Sequence, residues 1–228
     1  MEYIAITLAA GEGKRMNAGD NKQFLAIGGK PLIIHTLDVF QKDTWCKEII
    51  LVVNPKEKQR MEQLLNKHSF NKPITLVEGG AFRQNSVFLG LKQIKDPEAI
   101  VFIHDGARPF IEIDALHRLA QVTQEKYAAL LAVPVTDTIK QRVGSQLHTL
   151  DRQTLWAAQT PQAFRFDVIY DAHERAINED YLGTDDASLV ERLGKEVAIV
   201  RGSYDNIKLT TPEDLHRADT YLRDKMND

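Results

Sequence analysis

The chain has 228 residues, 43% of them hydrophobic and 27% charged, with 13 glycines and 8 prolines. That composition supports one large domain, expected to span residues 1–228, and excludes a disordered or collagenous chain. Lysine and arginine number 29 against 32 acidic residues, so the net charge of −3 gives no general attraction for nucleic acid or an anionic membrane.

A single cysteine, Cys46, excludes an intrachain disulfide and a cysteine-based zinc cage, and is compatible with a reducing, cytoplasmic setting. The start, Tyr3 to Ala10, is as apolar as the centre of a signal peptide. It lacks a basic flank and runs into Gly11-Glu12-Gly13-Lys14-Arg15, so it reads as a buried strand. No apolar run approaches the roughly 18 residues of a membrane span.

In chain order, short β-branched runs alternate with segments of helical period. After the strand Tyr3 to Leu8 come a helix from Pro31 to Phe40, a strand from Glu48 to Val53 and a helix from Lys56 to Lys67. Then follow a strand from Ile74 to Val77, a helix from Arg83 to Ile94, a strand from Ile100 to His104, a helix from Asp114 to Glu125 and a strand from Ala128 to Val135. Thr138 to Leu150 breaks the rhythm. It is polar, carries Gly144 and alternates weakly, as a two-stranded arm would, and the arm is expected over about 138–160. An isolated two-stranded ribbon is marginal in water, so the arm is expected to pack on something, a second copy of the chain being the natural candidate. A helix from Val168 to Ile177, a strand from Val197 to Val200 and Pro212 in a first helical turn complete the pattern. Repeated βα units predict an α/β fold with a mostly parallel sheet buried on both faces.

The turn after the first strand contains Gly11 and Gly13 but has Met16 where a Rossmann fingerprint needs its third glycine, and no Gly-Lys-Ser/Thr of a Walker loop. It still offers backbone N–H groups to phosphate, followed by Arg15 and Lys22; a tight turn with solvated cations fits the same residues. Asp105 ends a strand and Arg108 follows it. The pair suits a hydrated Mg²⁺ or substrate hydroxyl and a phosphate, or a simple ion pair. Lys140, Arg152 and Lys208 sit among turn formers and hydroxyls, which suits an anion site or three surface cations. The seven histidines lack zinc-site spacing, and no nucleophile elbow is present, so zinc hydrolysis and covalent catalysis have no candidates.

Nine segments in order carry a resemblance over nearly the whole chain: Ala9-Ala10-Gly11-x-Gly13-x-Arg15-Met16, Lys22-Gln23, Gly79-Gly80, Ser86-Val87, His104 to Pro109, Val135-x-Asp137-Thr138-Ile139-Lys140, Thr160-Pro161-Gln162, Thr184 to Ser188 and Asn206-Ile207-Lys208-x-Thr210. Through them the chain resembles the 2-C-methyl-D-erythritol 4-phosphate cytidylyltransferases. The resemblance implies a Rossmann-like nucleotidyltransferase fold and a homodimer clasped by the β-arm. It implies Mg²⁺ as cofactor, CTP and a sugar-alcohol phosphate as reactants, and no nucleic acid or membrane partner. By the same resemblance Arg15 and Lys22 are catalytic, Arg152 and Lys208 position the sugar phosphate, with Arg152 coming from the partner's arm, and Asp105, Arg108 and Thr138 bind substrate, Asp105 also being the metal candidate. Ala10, Gly11, Gly13, Gly80 and Ser86 take the nucleotide. The chain departs from many relatives after Gly80, where Ala81 and Phe82 stand in place of an acidic residue. Two alternatives are a ribitol 5-phosphate cytidylyltransferase, whose loop usually reads Ala-Gly-Gly, and a non-catalytic nucleotide-binding module.

Overall fold

The computed structural model describes residues 1–11 and 21–227. In chain order it contains β1 (Tyr3–Ala9), β2 (Ala26–Ile27), β3 (Lys30–Pro31), α1 (Leu32–Lys42), β4 (Cys46–Val53), α2 (Lys58–Leu65), β5 (Ile74–Glu78) and α3 (Arg83–Leu91). These are followed by β6 (Ile100–Asp105), α4 (Ile113–Lys126), β7 (Ala128–Pro134), β8 (Lys140–Val143), β9 (Gln146–Thr149) and β10 (Trp156–Arg165). The chain ends with α5 (Phe166–Asn178), α6 (Asp186–Arg192), β11 (Ala198–Arg201) and α7 (Pro212–Asn227).

Seven strands form one sheet in the order β11-β7-β10-β6-β1-β4-β5, and β10 runs antiparallel to both its neighbours while the other pairings are parallel. Every residue of β1 is buried, because alternate side chains enter two different cores. Tyr3, Ala5 and Ala9 pack with Ile33, Leu37 and Phe40 of α1, whereas Ile4, Ile6 and Leu8 pack with Val87 and Leu91 of α3 and Ile169 of α5. A strand covered on both faces has no need of polar alternation, which is why it reads as a continuous apolar run. A third, smaller core packs Ala218 of α7, and Leu209 just before that helix, with Ile27, Leu32 and Phe110.

The largest departure from the sequence expectation is β10. No sheet strand was expected between the arm, drawn to about 160, and the helix from Val168, yet Gln159-Thr160-Pro161-Gln162 lies inside a strand, and Thr160, Gln159 and Gln162 are buried. Pro161 is accommodated because the β10–β7 ladder is interrupted between Ala158 and Gln162, where its missing N–H breaks no pairing. The arm is correspondingly shorter than 138–160. Only β8 and β9 leave the sheet, and Trp156 already pairs with Pro134. Helix α6 was not expected; Asp185 caps it, accepting from the Ser188 N–H at 2.9 Å while the Asp185 N–H donates to Ser188 Oγ at 3.3 Å. The helix expected from Lys56 begins as a 3₁₀ turn, Pro55–Glu57, and Pro31 precedes α1 rather than opening it.

Candidate active site

A cleft of about 930 Å³ opens at the carboxyl ends of β1, β5 and β6. Its lining includes the small residues Ala10, Gly11, Gly79, Gly80 and Ala81 and the charged residues Lys22, Arg83, Asp105 and Lys208. The ends of β1 and β6 close tightly through Gly106, whose N–H donates to the Leu8 carbonyl at 2.9 Å. A Cβ there would lie 2.9 Å from both that carbonyl oxygen and Ile33 Cδ1, so only glycine lets the two strand ends meet.

Asp105 is the hub of the charged residues. Its Oδ2 is 2.7 Å from Lys208 Nζ and 4.0 Å from Arg108 Nε, and its Oδ1 is 3.5 Å from Arg83 Nε. Burial alone pushes the Asp105 carboxyl up, but the charges of Arg83, Lys208 and Arg108 outweigh it and hold the group far below the usual carboxylate range. Arg83 is more firmly committed elsewhere. Its Nη1 lies 2.6 Å from Oδ2 of Asp186, a carboxylate on α6 that is itself buried and whose Oδ1 is 3.1 Å from His173 Nε2. Burial raises the Asp186 carboxyl, and Arg83 followed by His173 more than reverses that shift.

The backbone of Asp105 is fixed from below. Its N–H donates to Thr160 Oγ1 at 3.0 Å, Thr160 Oγ1 lies 3.2 Å from His104 Nδ1, and His104 Nε2 lies 3.0 Å from the Arg108 carbonyl. With the Thr160 hydroxyl donating to Nδ1, His104 carries its proton on Nε2, and burial pulls its pKa down to about 4. His104 is therefore a neutral strut. Arg108 Nη1 donates to the Asn206 carbonyl at 2.6 Å, and Asn206 Nδ2 donates to the Thr160 carbonyl at 2.9 Å. The Leu209 N–H reaches the Ala107 carbonyl at 2.9 Å, and Lys22 Nζ donates to the Leu209 carbonyl at 3.2 Å. These bonds pin the 203–210 segment beside β6 and so bring Lys208 to Asp105. Lys22 opens a 3₁₀ turn whose cap, Asn21, accepts from the Gln23 N–H and donates to the Gly11 carbonyl at 3.3 Å.

Of the residues singled out in the sequence, Ala10, Gly11, Lys22, Gly80, Ser86, Asp105 and Lys208 line this cleft. Gly13 and Arg15 lie outside the described residues. Arg108 sits behind Asp105 with its guanidinium on Asn206 rather than in the cleft lining. Thr138 is exposed in the connection before β8, and Arg152 opens a 3₁₀ turn after β9 and donates to the Thr136 carbonyl at 2.8 Å; neither lines the cleft of its own chain. Lys140 is held on the arm, donating to Thr149 Oγ1 at 2.6 Å, away from the anion cluster in which its sequence context set it. Sequence reasoning missed Arg83 and Asp186. Their signal is weak because they stand 103 positions apart.

A cleft lined by both cations and glycine-rich backbone, at the carboxyl edge of a mostly parallel sheet covered on both faces, defines a nucleotide-handling α/β protein. The family model described as "IspD: 2-C-methyl-D-erythritol 4-phosphate cytidylyltransferase" matches residues 3–224. A protein of that name from Geobacillus kaustophilus is 56% identical over 227 residues, covering 99% of each chain, and one from Halalkalibacterium halodurans is 51% identical over 226 residues, again covering 99% of each. A solved 4-diphosphocytidyl-2C-methyl-D-erythritol synthase from Anaerococcus prevotii superposes with a TM-score of 0.85 at 33% identity, covering 97% of this chain and 96% of that one. The 2-C-methyl-D-erythritol 4-phosphate cytidylyltransferase from Thermus thermophilus gives 0.81 at 31% identity, covering 98% and 100%. The chain belongs to the 2-C-methyl-D-erythritol 4-phosphate cytidylyltransferase family. Membership favours that reading over the ribitol phosphate sibling and the non-catalytic module. Among the described residues no helix is long and apolar enough to cross a membrane.

Proposed function

We propose that the cleft transfers the cytidylyl group of CTP to the phosphate of 2-C-methyl-D-erythritol 4-phosphate. An acceptor phosphate oxygen attacks the α-phosphorus in line, the bond from that phosphorus to the bridging α–β oxygen breaks, and pyrophosphate leaves with the electron pair. The observation that carries the reading is the charged wall of Lys22, Arg83 and Lys208 around an Asp105 locked in its anionic form.

Both reactants are anions, and a phosphate monoester is already largely ionised at neutral pH, with its second pKa about 6. No general base is required. The described lining accordingly offers cations and one carboxylate too acidic to take a proton. The chain's own work is to overcome like-charge repulsion and hold the line of attack, with Lys22, joined by Arg15, set against charge on the α-phosphate oxygens. Lys208 positions the sugar phosphate, with Asp105 aligning its ammonium. The nucleotide takes the small-residue lining of Ala10, Gly11, Gly80 and Ser86, and the resemblance adds Gly13 to them.

Magnesium fits the donor set. It is held typically by one or two carboxylates plus substrate phosphates rather than by an all-protein cage, and among the described residues no three-carboxylate or histidine cluster gathers. Asp105 Oδ1, whose nearest cation stands 3.5 Å away, is the oxygen suited to hold it. When bound, the ion would neutralise phosphate charge.

Arg152 and Thr138 complete the acceptor site from a second copy in this reading, while Arg108 acts from behind Asp105 by holding the segment that carries Lys208. The arm supports that, since β8 and β9 are exposed throughout and carry Val143 and Leu147 at 57% and 67% exposure. Pyrophosphate release from CTP should require methylerythritol phosphate and not proceed with ribitol 5-phosphate; the reverse preference would overturn the reading. Mixing inactive Lys22→Ala chains with inactive Arg152→Ala chains should restore about a quarter of wild-type turnover, the share of intact sites in a statistically mixed two-fold dimer. No recovery would show that Arg152 acts within its own chain.

A further inference from the structure

We infer that Phe82 is a nucleotide-binding residue whose ring stacks on the pyrimidine of the bound nucleotide, an assignment that rests on the reaction proposed above. Phe82 lines the cleft between Ala81 and Arg83 and is 58% exposed, the largest apolar side chain of that lining.

Its backbone is held while its ring is not packed away. The Phe82 N–H donates to Asn85 Oδ1 at 3.2 Å, and its carbonyl accepts from the Ser86 N–H at 3.0 Å and from Ser86 Oγ at 3.1 Å. The ring thus projects from a rigid base. Phe82 also occupies the N-cap of α3, where Ser, Thr, Asp or Asn would satisfy a backbone donor and phenylalanine cannot. A residue that breaks a local rule beside a cleft points to a ligand role.

The neighbouring surface asks for a flat, weakly polar ligand. A Cβ on Gly79 would lie 2.6 Å from Ala10 Cβ, and one on Gly80 would lie 2.6 Å from Asn85 Cβ, so this wall presents backbone instead of side chains. In the proposed reaction the cations Lys22 and Lys208 take the phosphates, which leaves the base for the wall formed by Gly79, Gly80 and Phe82. Stacking of a base on an aromatic ring needs no matching of polar groups, and it removes from water an apolar face that the apo cleft leaves wet.

The test uses the full-length chain and four variants. Phe82→Ala and Phe82→Ser should raise the KM for CTP about tenfold, within the range set by loss of one base–aromatic stack. Phe82→Tyr and Phe82→Trp should stay within about twofold of wild type, since they retain an aromatic face. Phe82→Ser restores a capping side chain, so its thermal midpoint should not fall, which separates ligand binding from folding. Product inhibition by pyrophosphate, which lacks a base, should be unchanged in all four. A CTP KM for the Ala and Ser variants within twofold of wild type would overturn the inference, as would a parallel loss of pyrophosphate inhibition. Either outcome leaves the reaction standing if wild type still releases pyrophosphate. Absence of that release in wild type would instead remove the reaction, and this assignment with it.

Discussion

The cleft and the arm hold their cations in opposite ways. Lys208 and Arg83 are fixed by partners rooted in the sheet and in α6: Asp105 sits on a backbone pinned by Thr160, and Asp186 is buried beside His173. On the arm, Arg142 and Lys140 find only near neighbours, the Gly144 carbonyl and the Thr149 hydroxyl, and every residue of β8 and β9 is exposed. A charge aimed by buried partners keeps its direction without ligand, whereas a charge on an exposed ribbon gains direction only when the ribbon docks. The cations of the first region are aimed by partners within one chain. Those of the second have only their own ribbon to hold them.

The comparison can be broken at four points of decreasing effect. Lys22→Ala should lower kcat on the order of 10² to 10³, by analogy with loss of one oxyanion donor, with little change in thermal midpoint; steady-state kinetics showing unchanged turnover would detach the wall from the chemistry. A second break is acidic pH. His104 binds its proton in the unfolded chain near pH 6.5 but in the folded one only near pH 4, so the unfolded state is favoured as pH falls through that window. Stability due to His104 is fully present above pH 6.5, and on the order of 3 kcal/mol is lost by pH 4; urea unfolding should show this slope and His104→Asn should flatten it.

Asp186→Asn tests the buried anchor. Breaking a buried pair usually costs about 3–5 kcal/mol, but Asp105 remains near Arg83 and part of the guanidinium reaches solvent, so about 2 kcal/mol of unfolding free energy should be lost. Thermal unfolding of this variant should also be accompanied by a raised KM for the sugar phosphate, because Arg83 then competes with Lys208 for Asp105. The smallest effect on one chain is expected at Leu147→Ser, within about 0.5 kcal/mol in unfolding. Its consequence should appear instead as a shift toward monomer in sedimentation, and an unchanged assembly state would sharpen the contrast against the arm.

Local patterning marked Lys22, Asp105 and Lys208 only as candidates beside a strand or turn, each with a plain structural alternative; the resemblance supplied their roles, and the structure puts all three in the cleft lining. Arg83 and Asp186 were not marked, since nothing in either segment announces a partner 103 residues away. β10 was misread for a related reason. Pro161 argues locally against a central strand, and the interruption of the ladder that tolerates it exists only once β7 lies alongside. Asp185-x-x-Ser188 was a readable cap signal for α6.

By itself the sequence determined the alternation of buried strands and amphipathic helices and the departure from the sheet at the arm, because hydrophobic period is a property of consecutive residues. Only the tertiary structure decided which charges share a wall, which carboxylate is buried behind Arg83 and which cations stay on the arm. Coulomb interaction and desolvation depend on distance and burial in space, and the fold alone sets those for residues far apart along the chain.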